Sequence, residues 1–228
     1  PAPFGGMPEL YANMSGTSIA RSGDLGETWT YVHGGADWYA TYDCVLHVVP
    51  EQPSRLWQGC EAPLDVAWIR RFDLAGSASP LGDGLTVVEG ISNRRVNSFW
   101  SFPVDPGAVY AGVEGGLLRI APGGQWRWIY AVPPNGNRLY TYVRFVWVDP
   151  RDPQHIVFGG GERAEGSGRE GLHETFDGGA TTHIVDGPPG VPFSQAAVPA
   201  GVGLDGARGL YVILVADGAG VRVMVRVP

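Results

Sequence analysis

Ser22-Gly23-Asp24-Leu25-Gly26-Glu27-Thr28-Trp29 packs several turn signals into eight residues. A short Asp side chain accepts hydrogen bonds from backbone N–H groups of its own turn. Gly supplies positive φ. Thr28 and Trp29 then re-enter an extended segment, where the aromatic ring packs against a neighbouring sheet. The same signals recur at Thr175-Phe176-Asp177-Gly178-Gly179-Ala180-Thr181-Thr182, without the final aromatic. Arg119 to Trp126 and Arg71 to Gly76 read as eroded versions. Asp24 and Asp177 are therefore expected to build turns, not to do chemistry.

Working outward, each turn sits inside a larger repeat. Pro8-Glu9-Leu10-Tyr11, Pro53-Ser54-Arg55-Leu56-Trp57, Asp105-Pro106-Gly107-Ala108-Val109-Tyr110, Asp152-Pro153-Gln154-His155-Ile156-Val157 and Gly209-Leu210-Tyr211 each run from a turn into a short apolar strand. Their last residues, 11, 57, 110, 157 and 211, are spaced by 46, 53, 47 and 54. Another strand precedes most of them, as in Phe99 to Val104 and Val143 to Val148, and both end in Val-Asp-Pro. A third strand follows, such as Val66 to Arg70, Gly116 to Ile120 and Gly171 to Thr175. A fourth follows the Gly-rich turn, as in Thr28 to Val32. Four short antiparallel strands per ~50 residues is the period of a propeller blade. The expected fold is all-β, a β-propeller of about five four-stranded blades, with an irregular first and last blade. The blades fall at about 1–34, 35–85, 86–131, 132–186 and 187–228 of one domain. Two readings of the ends stay open: a closed five-blade ring, or part of a longer propeller. Closure spares the sheet edges, and the alternating Val221 to Val227 suits a closing strand.

The composition agrees. Among 228 residues there are 35 Gly and 19 Pro, against a mainly helical chain. Net charge is −7, which argues against a nucleic-acid or anionic-membrane partner. No run approaches the ~18 apolar residues of a membrane helix. All 16 basic residues are Arg, which reads as genome composition. No signal peptide is visible at Pro1-Ala2-Pro3. Asn13-Met14-Ser15 is a chance-level sequon.

Cys44 and Cys60 flank a strand–turn–strand segment whose midpoint is residue 52, inside the turn Pro50 to Ser54. A symmetric hairpin sets them opposite each other, at Cα spacings of ~4.5 Å for a non-hydrogen-bonded pair, within disulfide range. A disulfide, implying an oxidising compartment, and two buried thiols are both open.

The Ser22 to Trp29 and Thr175 to Thr182 turns, the Val-Asp-Pro turns and the period together resemble the Asp-box, or bacterial neuraminidase repeat, β-propellers. That superfamily includes sialidases, xyloglucan-type endoglucanases, sortilin-type receptor domains and photosystem assembly factors. The resemblance implies structural roles for Ser22, Asp24, Gly26, Thr28, Trp29, Thr175, Asp177, Gly179 and Thr181. The sialidase Arg-Ile-Pro motif is absent. Where xyloglucan-type enzymes carry an acid after Leu-Tyr-Ala, Leu10-Tyr11-Ala12 leads into Asn13-Met14-Ser15.

Function is expected in the loops at one face. These are His33 to Asp43, Thr86 to Ser98, Ala131 to Tyr142, Asp186 to Gln195, Glu61 to Asp65 and Gly159 to Glu170. The first holds Asp37, Trp38, Tyr39, Tyr42 and Asp43, acids among aromatics, which suits sugar C–H faces and hydroxyls. It reads as a glycan subsite or as a loop burying its own rings. Arg94, Arg138 and Tyr140 lie in or beside the neighbouring loops. Gly159 to Glu170 reads as an acidic lid or as a solvated insertion. A glycosidase needs two carboxyls about 5–5.5 Å or 6.5–9.5 Å apart, and Asp37 with Glu162 is the nominal pair. No HxH or HExxH spacing, phosphate loop or nucleophile elbow occurs, so no metal or cofactor is expected. Three functions follow. The first is a secreted, periplasmic or surface module binding a glycan or protein. The second is a polysaccharide hydrolase. The third is a scaffold subunit of a larger assembly.

Overall fold

The computed structural model describes residues 9–14, 17–34, 44–49, 52–62, 66–74, 85–92, 96–113, 116–131, 141–162, 171–186, 193–197, 211–217 and 220–226. Every regular element among them is a strand. Among the described residues no helix is long and apolar enough to cross a membrane. The strands form five antiparallel sheets in chain order. The first holds β1 (Leu10–Asn13), β2 (Ile19–Ser22) and β3 (Thr30–His33). The second holds β4 (Cys44–Val49), β5 (Gln52–Ala62), β6 (Val66–Asp73) and β7 (Leu85–Ser92). The third holds β8 (Val96–Trp100), β9 (Val109–Val113), β10 (Gly116–Ile120) and β11 (Trp126–Ala131). The fourth holds β12 (Thr141–Asp149), β13 (Asp152–Glu162), β14 (Gly171–Thr175) and β15 (His183–Asp186). The fifth holds β16 (Phe193–Ala197), β17 (Tyr211–Asp217) and β18 (Gly220–Arg226).

The expectation of four-stranded sheets with irregular ends holds: the middle three have four strands, the first and last three. The expected boundaries shift in places. Leu85–Ser92 is the fourth strand of the second sheet, so most of the expected Thr86 to Ser98 loop is strand, and that sheet runs past residue 85. The Leu85-Thr86-Val87-Val88 run is rich in residues that fit a pleated surface. β13 continues through Gly160 and Gly161, which pair with Val143 and Tyr142, so the loop before β14 begins only at residue 163. β8 stops at Trp100, because Phe102 to Ala108 form two successive turns, Asp105 N–H to Phe102 O and Ala108 N–H to Asp105 O. β6 runs to Asp73 and absorbs the start of the expected Arg71 to Gly76 turn.

The chain divides into two compact units, residues 1–113 with 118–127, and residues 114–117 with 128–228. In the first, Ile19 and Val32 pack with Leu56 and Phe72, flanked by Tyr11, Leu46, Val48 and Leu74. The strand period of two puts residues 46, 48, 56 and 72 on one face of the second sheet. Its other face approaches β8 so closely that a Cβ on Gly59 would meet Val96 at 2.4 Å. In the second unit the core runs through Phe145, Val146, Ile156, Val157 and Phe158. Phe158 stacks on His173 at 5.3 Å between ring centroids.

Cys44 and Cys60 are register partners on β4 and β5 and form a disulfide, with Cα atoms 4.1 Å apart. It closes a 16-residue separation. Cross-links of that span stabilise by about 3 kcal/mol through the unfolded chain. Cys44→Ala/Cys60→Ala should therefore lower unfolding free energy by about that much, and reductant should reproduce the loss in the parent but not in the variant. Urea midpoints in both redox states check this.

Candidate functional site

Two sheets carry an Asp turn, the first between β2 and β3 and the fourth between β14 and β15. Ser22 Oγ donates to Asp24 Oδ1 at 2.7 Å and accepts Gly26 N–H at 2.8 Å. Asp24 accepts Thr28 N–H at 2.9 Å and the Thr28 hydroxyl at 2.5 Å. Trp29 Nε1–H closes the turn on Gly26 O at 3.1 Å. Thr175, Asp177, Gly179 and Thr181 repeat the pattern at 2.6–2.8 Å. Leu25 and Gly26, and Gly178 and Gly179, take the positive φ that the turn requires. The Thr28 hydroxyl, the Thr28 N–H and Ser22 hold the Asp24 carboxyl down at about 2. Thr181 and Thr175 hold Asp177 lower still. Each carboxylate spends its acceptor capacity on its own turn, which leaves neither free to act as a general acid or base near neutral pH.

Further acids are pinned within individual sheets. Asp105 accepts from Tyr110 Oη at 2.8 Å and from Arg119 at 2.7 and 2.6 Å. Burial opposes its ionisation, but Arg119 and Tyr110 outweigh burial and its pKa is lowered. Burial, and then the neighbouring Asp105, push the Tyr110 hydroxyl well above the usual phenol range, so it stays protonated. In the first sheet Glu9 accepts from Tyr11 at 2.8 Å and from Arg21. In the fourth, Asp149 accepts from Arg151 at 2.9 Å and faces His155, which also faces Glu174. Sequence reading found the two Val-Asp-Pro turns but not these clusters. His155 and Glu174 stand 19 positions apart, and no motif connects them.

Strand direction sets the other end of each sheet. In the first sheet the strand ends flanking residues 14–18 and 34–43 point away from its Asp turn, and in the fourth those flanking 132–140, 163–170 and 187–192 do. Asp37, Trp38, Tyr39, Tyr42, Asp43, Arg94, Arg138 and Tyr140 lie outside the described residues. Glu162 is the last residue of β13, its backbone paired with Thr141 at this end. The first two sheets are tied by a buried amide. Gln58 Nε2–H donates to Asn13 Oδ1 and Thr17 O, both at 3.0 Å. Beyond it the β5–β6 hairpin carries the disulfide and Trp68, with the Arg70 guanidinium 4.2 Å over the Trp68 ring. Among the described residues no group of His, Cys, Asp and Glu is arranged to hold a metal ion.

No family model matches the chain, and no curated protein matches it. Solved structures do. The GH74 xyloglucanase of Xanthomonas campestris is 18% identical with a TM-score of 0.60, covering 94% of this chain and 34% of that one. The periplasmic gluconolactonase of Pseudomonas aeruginosa is 14% identical with a TM-score of 0.55, over 96% of this chain and 62% of that one. YCF48, bound to D1 peptide, is 14% identical with a TM-score of 0.52, over 100% and 67%. The chain thus spans about one third of the xyloglucanase it matches. These are β-propeller proteins, and at such identities the likeness is one of fold: the chain is an all-β propeller of antiparallel sheets.

Proposed function

We propose that the chain is an extracytoplasmic Asp-box propeller module that binds a glycan or a protein segment through the loops opposite its Asp turns, without catalysing a reaction. One observation carries this reading. Within its own sheet each of Asp24, Asp105, Asp149 and Asp177 is consumed in internal hydrogen bonds beside a strand-joining turn, while the connections at the opposite end of that sheet carry the aromatic-rich and charged sequence. A frame pinned in this way holds variable loops steady, which suits recognition. The disulfide supports an oxidising compartment. Two neighbours point the same way, one named a periplasmic enzyme and one an extracellular domain. Among neighbours, the peptide complex is in keeping with a protein ligand and the xyloglucanase with a glycan.

The test is a glycan array and an immobilised peptide library, run beside a reducing-end release assay on plant, fungal and bacterial polysaccharides. Binding without release is expected, and it should fall at least tenfold in Trp38→Ala/Tyr39→Ala. Release abolished by Asp37→Asn or Glu162→Gln would replace this reading with a polysaccharide hydrolase. Binding of neither class would leave the assembly-subunit reading in its place.

A further inference from the structure

Both ring nitrogens of His155 face carboxylate oxygens. Nδ1 is 3.1 Å from Asp149 Oδ2, and Nε2 is 2.8 Å from Glu174 Oε1. An ionised carboxylate only accepts hydrogen bonds. Two such contacts need an N–H on each ring nitrogen, which only the imidazolium has. A neutral ring would set a nitrogen lone pair against a carboxylate in one of the two places. All three residues are buried, at 8% exposure for His155 and 4% for each acid. Arg151 supplies the second positive charge, donating from Nε and Nη2 to Asp149 at 2.9 Å. With both acids ionised, the four charges sum to zero only while His155 is protonated.

We propose that His155 is a proton-held latch: its imidazolium clips the Asp149–Gln154 turn onto β14, and loss of that proton to solvent releases the turn. Its two carboxylate contacts span that junction. Asp149 ends β12, His155 lies on β13 one residue before the paired Ile156, and Glu174 lies on β14. The turn itself is held by Arg151 N–H on Asp149 Oδ1 at 2.9 Å and by Gly178 N–H on Gln154 O at 2.9 Å. Phe176 stacks face-on against the ring at 4.5 Å, which favours a cation, and Trp147 lies at a right angle to it at 5.5 Å. The other charged groups nearby are otherwise placed. Asp152 accepts Gln154 N–H within the turn, and Asp177 serves its own turn. His183, the register partner of Glu174 on β15, is exposed.

The electrostatics agree with the geometry. Burial disfavours the charged ring, but the hydrogen bonds it donates to Glu174 and Asp149 outweigh burial and raise the His155 pKa. Asp149 moves the other way. Burial opposes its ionisation, but Arg151 and His155 hold it at about 2, so it stays ionised throughout. A raised histidine stabilises fully below its unfolded pKa of about 6.5, and that stabilisation is lost as pH rises through the folded pKa. The latch is thus closed below the unfolded pKa and opens as pH rises through the folded one.

Proton NMR of the His155 ring from pH 5 to 10, assigned by the signal that His155→Gln removes, reads the latch directly. Amide exchange at Arg151 and Gly178 reads the turn. The ring is expected to titrate above 6.5. Protection at both amides should fall at least tenfold across the same midpoint, after correction for intrinsic exchange. In Glu174→Gln the side-chain amide can donate to a neutral ring, so the midpoint and the loss of protection should move together to lower pH. A ring titrating at or below 6.5, or amide protection indifferent to its midpoint, overturns the latch. The parent protein alone decides this if Glu174→Gln does not fold.

Discussion

Gly179→Ala is expected to destabilise the protein by about 2–5 kcal/mol, and Gly26→Ala by only about 1–2 kcal/mol, although both glycines occupy the same turn position. Their backbones match, with φ of +100° and +96°. An L side chain at such a φ costs roughly 1–2 kcal/mol in either place. Their surroundings differ. A Cβ on Gly26 would meet only Trp29 and Leu10 side-chain atoms at 3.7 Å and beyond. A Cβ on Gly179 would sit 2.6 Å from Ile129 O and 2.7 Å from Ile129 Cα. Those are backbone atoms of β11, a hydrogen-bonded strand that cannot swing aside as a side chain does. Relieving the overlap means shifting a turn or a strand, which adds about 1–3 kcal/mol. Urea unfolding of the two variants beside the parent measures the difference. Equal losses would mean that the Asp turn of the fourth sheet does not press on β11 as described.

Asp105→Ala is the second large effect, at about 3–5 kcal/mol. The carboxylate is buried at the turn between β8 and β9. It takes the Tyr110 hydroxyl and two N–H groups of Arg119. Tyr110 is fully buried, packed edge-on against Phe102 at 5.5 Å. Removing the acid leaves a buried hydroxyl and a partly buried guanidinium without their acceptor, and that orphaning makes up most of the cost. The double change Asp105→Ala/Arg119→Met should therefore be milder than Asp105→Ala alone, a non-additivity read from a double-mutant cycle. Additive losses would show that the three groups do not act as a unit. The pH dependence has the usual carboxylate sign. The folded pKa is depressed, so the stabilisation is present above the unfolded value of about 3.9 and fades as pH falls through the folded one. Thermal melts from pH 2 to 6 should lose that slope in Asp105→Ala.

These two positions were unequally visible beforehand. Asp105 stands in one of two Val-Asp-Pro turns, so its place in a strand-joining turn was readable. Its partners were not, because Arg119 comes 14 positions later on another strand. Gly179 was readable as a turn glycine. Nothing local distinguished it from Gly26, since the difference lies in β11, about 50 residues earlier in the chain.

The sequence by itself determined the all-β class, the near-50-residue repeat, the chemistry of both Asp turns and the placement of Cys44 opposite Cys60, while the structure showed that the two are bonded. The reason is range. A turn's hydrogen bonds close within eight residues, and a hairpin's register follows from the symmetry about its own turn. Only the tertiary structure decided that Leu85–Ser92 is a strand and that Gly160 and Gly161 are paired. It alone brought Asp149, His155 and Glu174 together. Each of those outcomes depends on a partner strand contributed from elsewhere in the chain. A buried charge is tolerated only where such partners converge, and convergence is a property of the folded sheet.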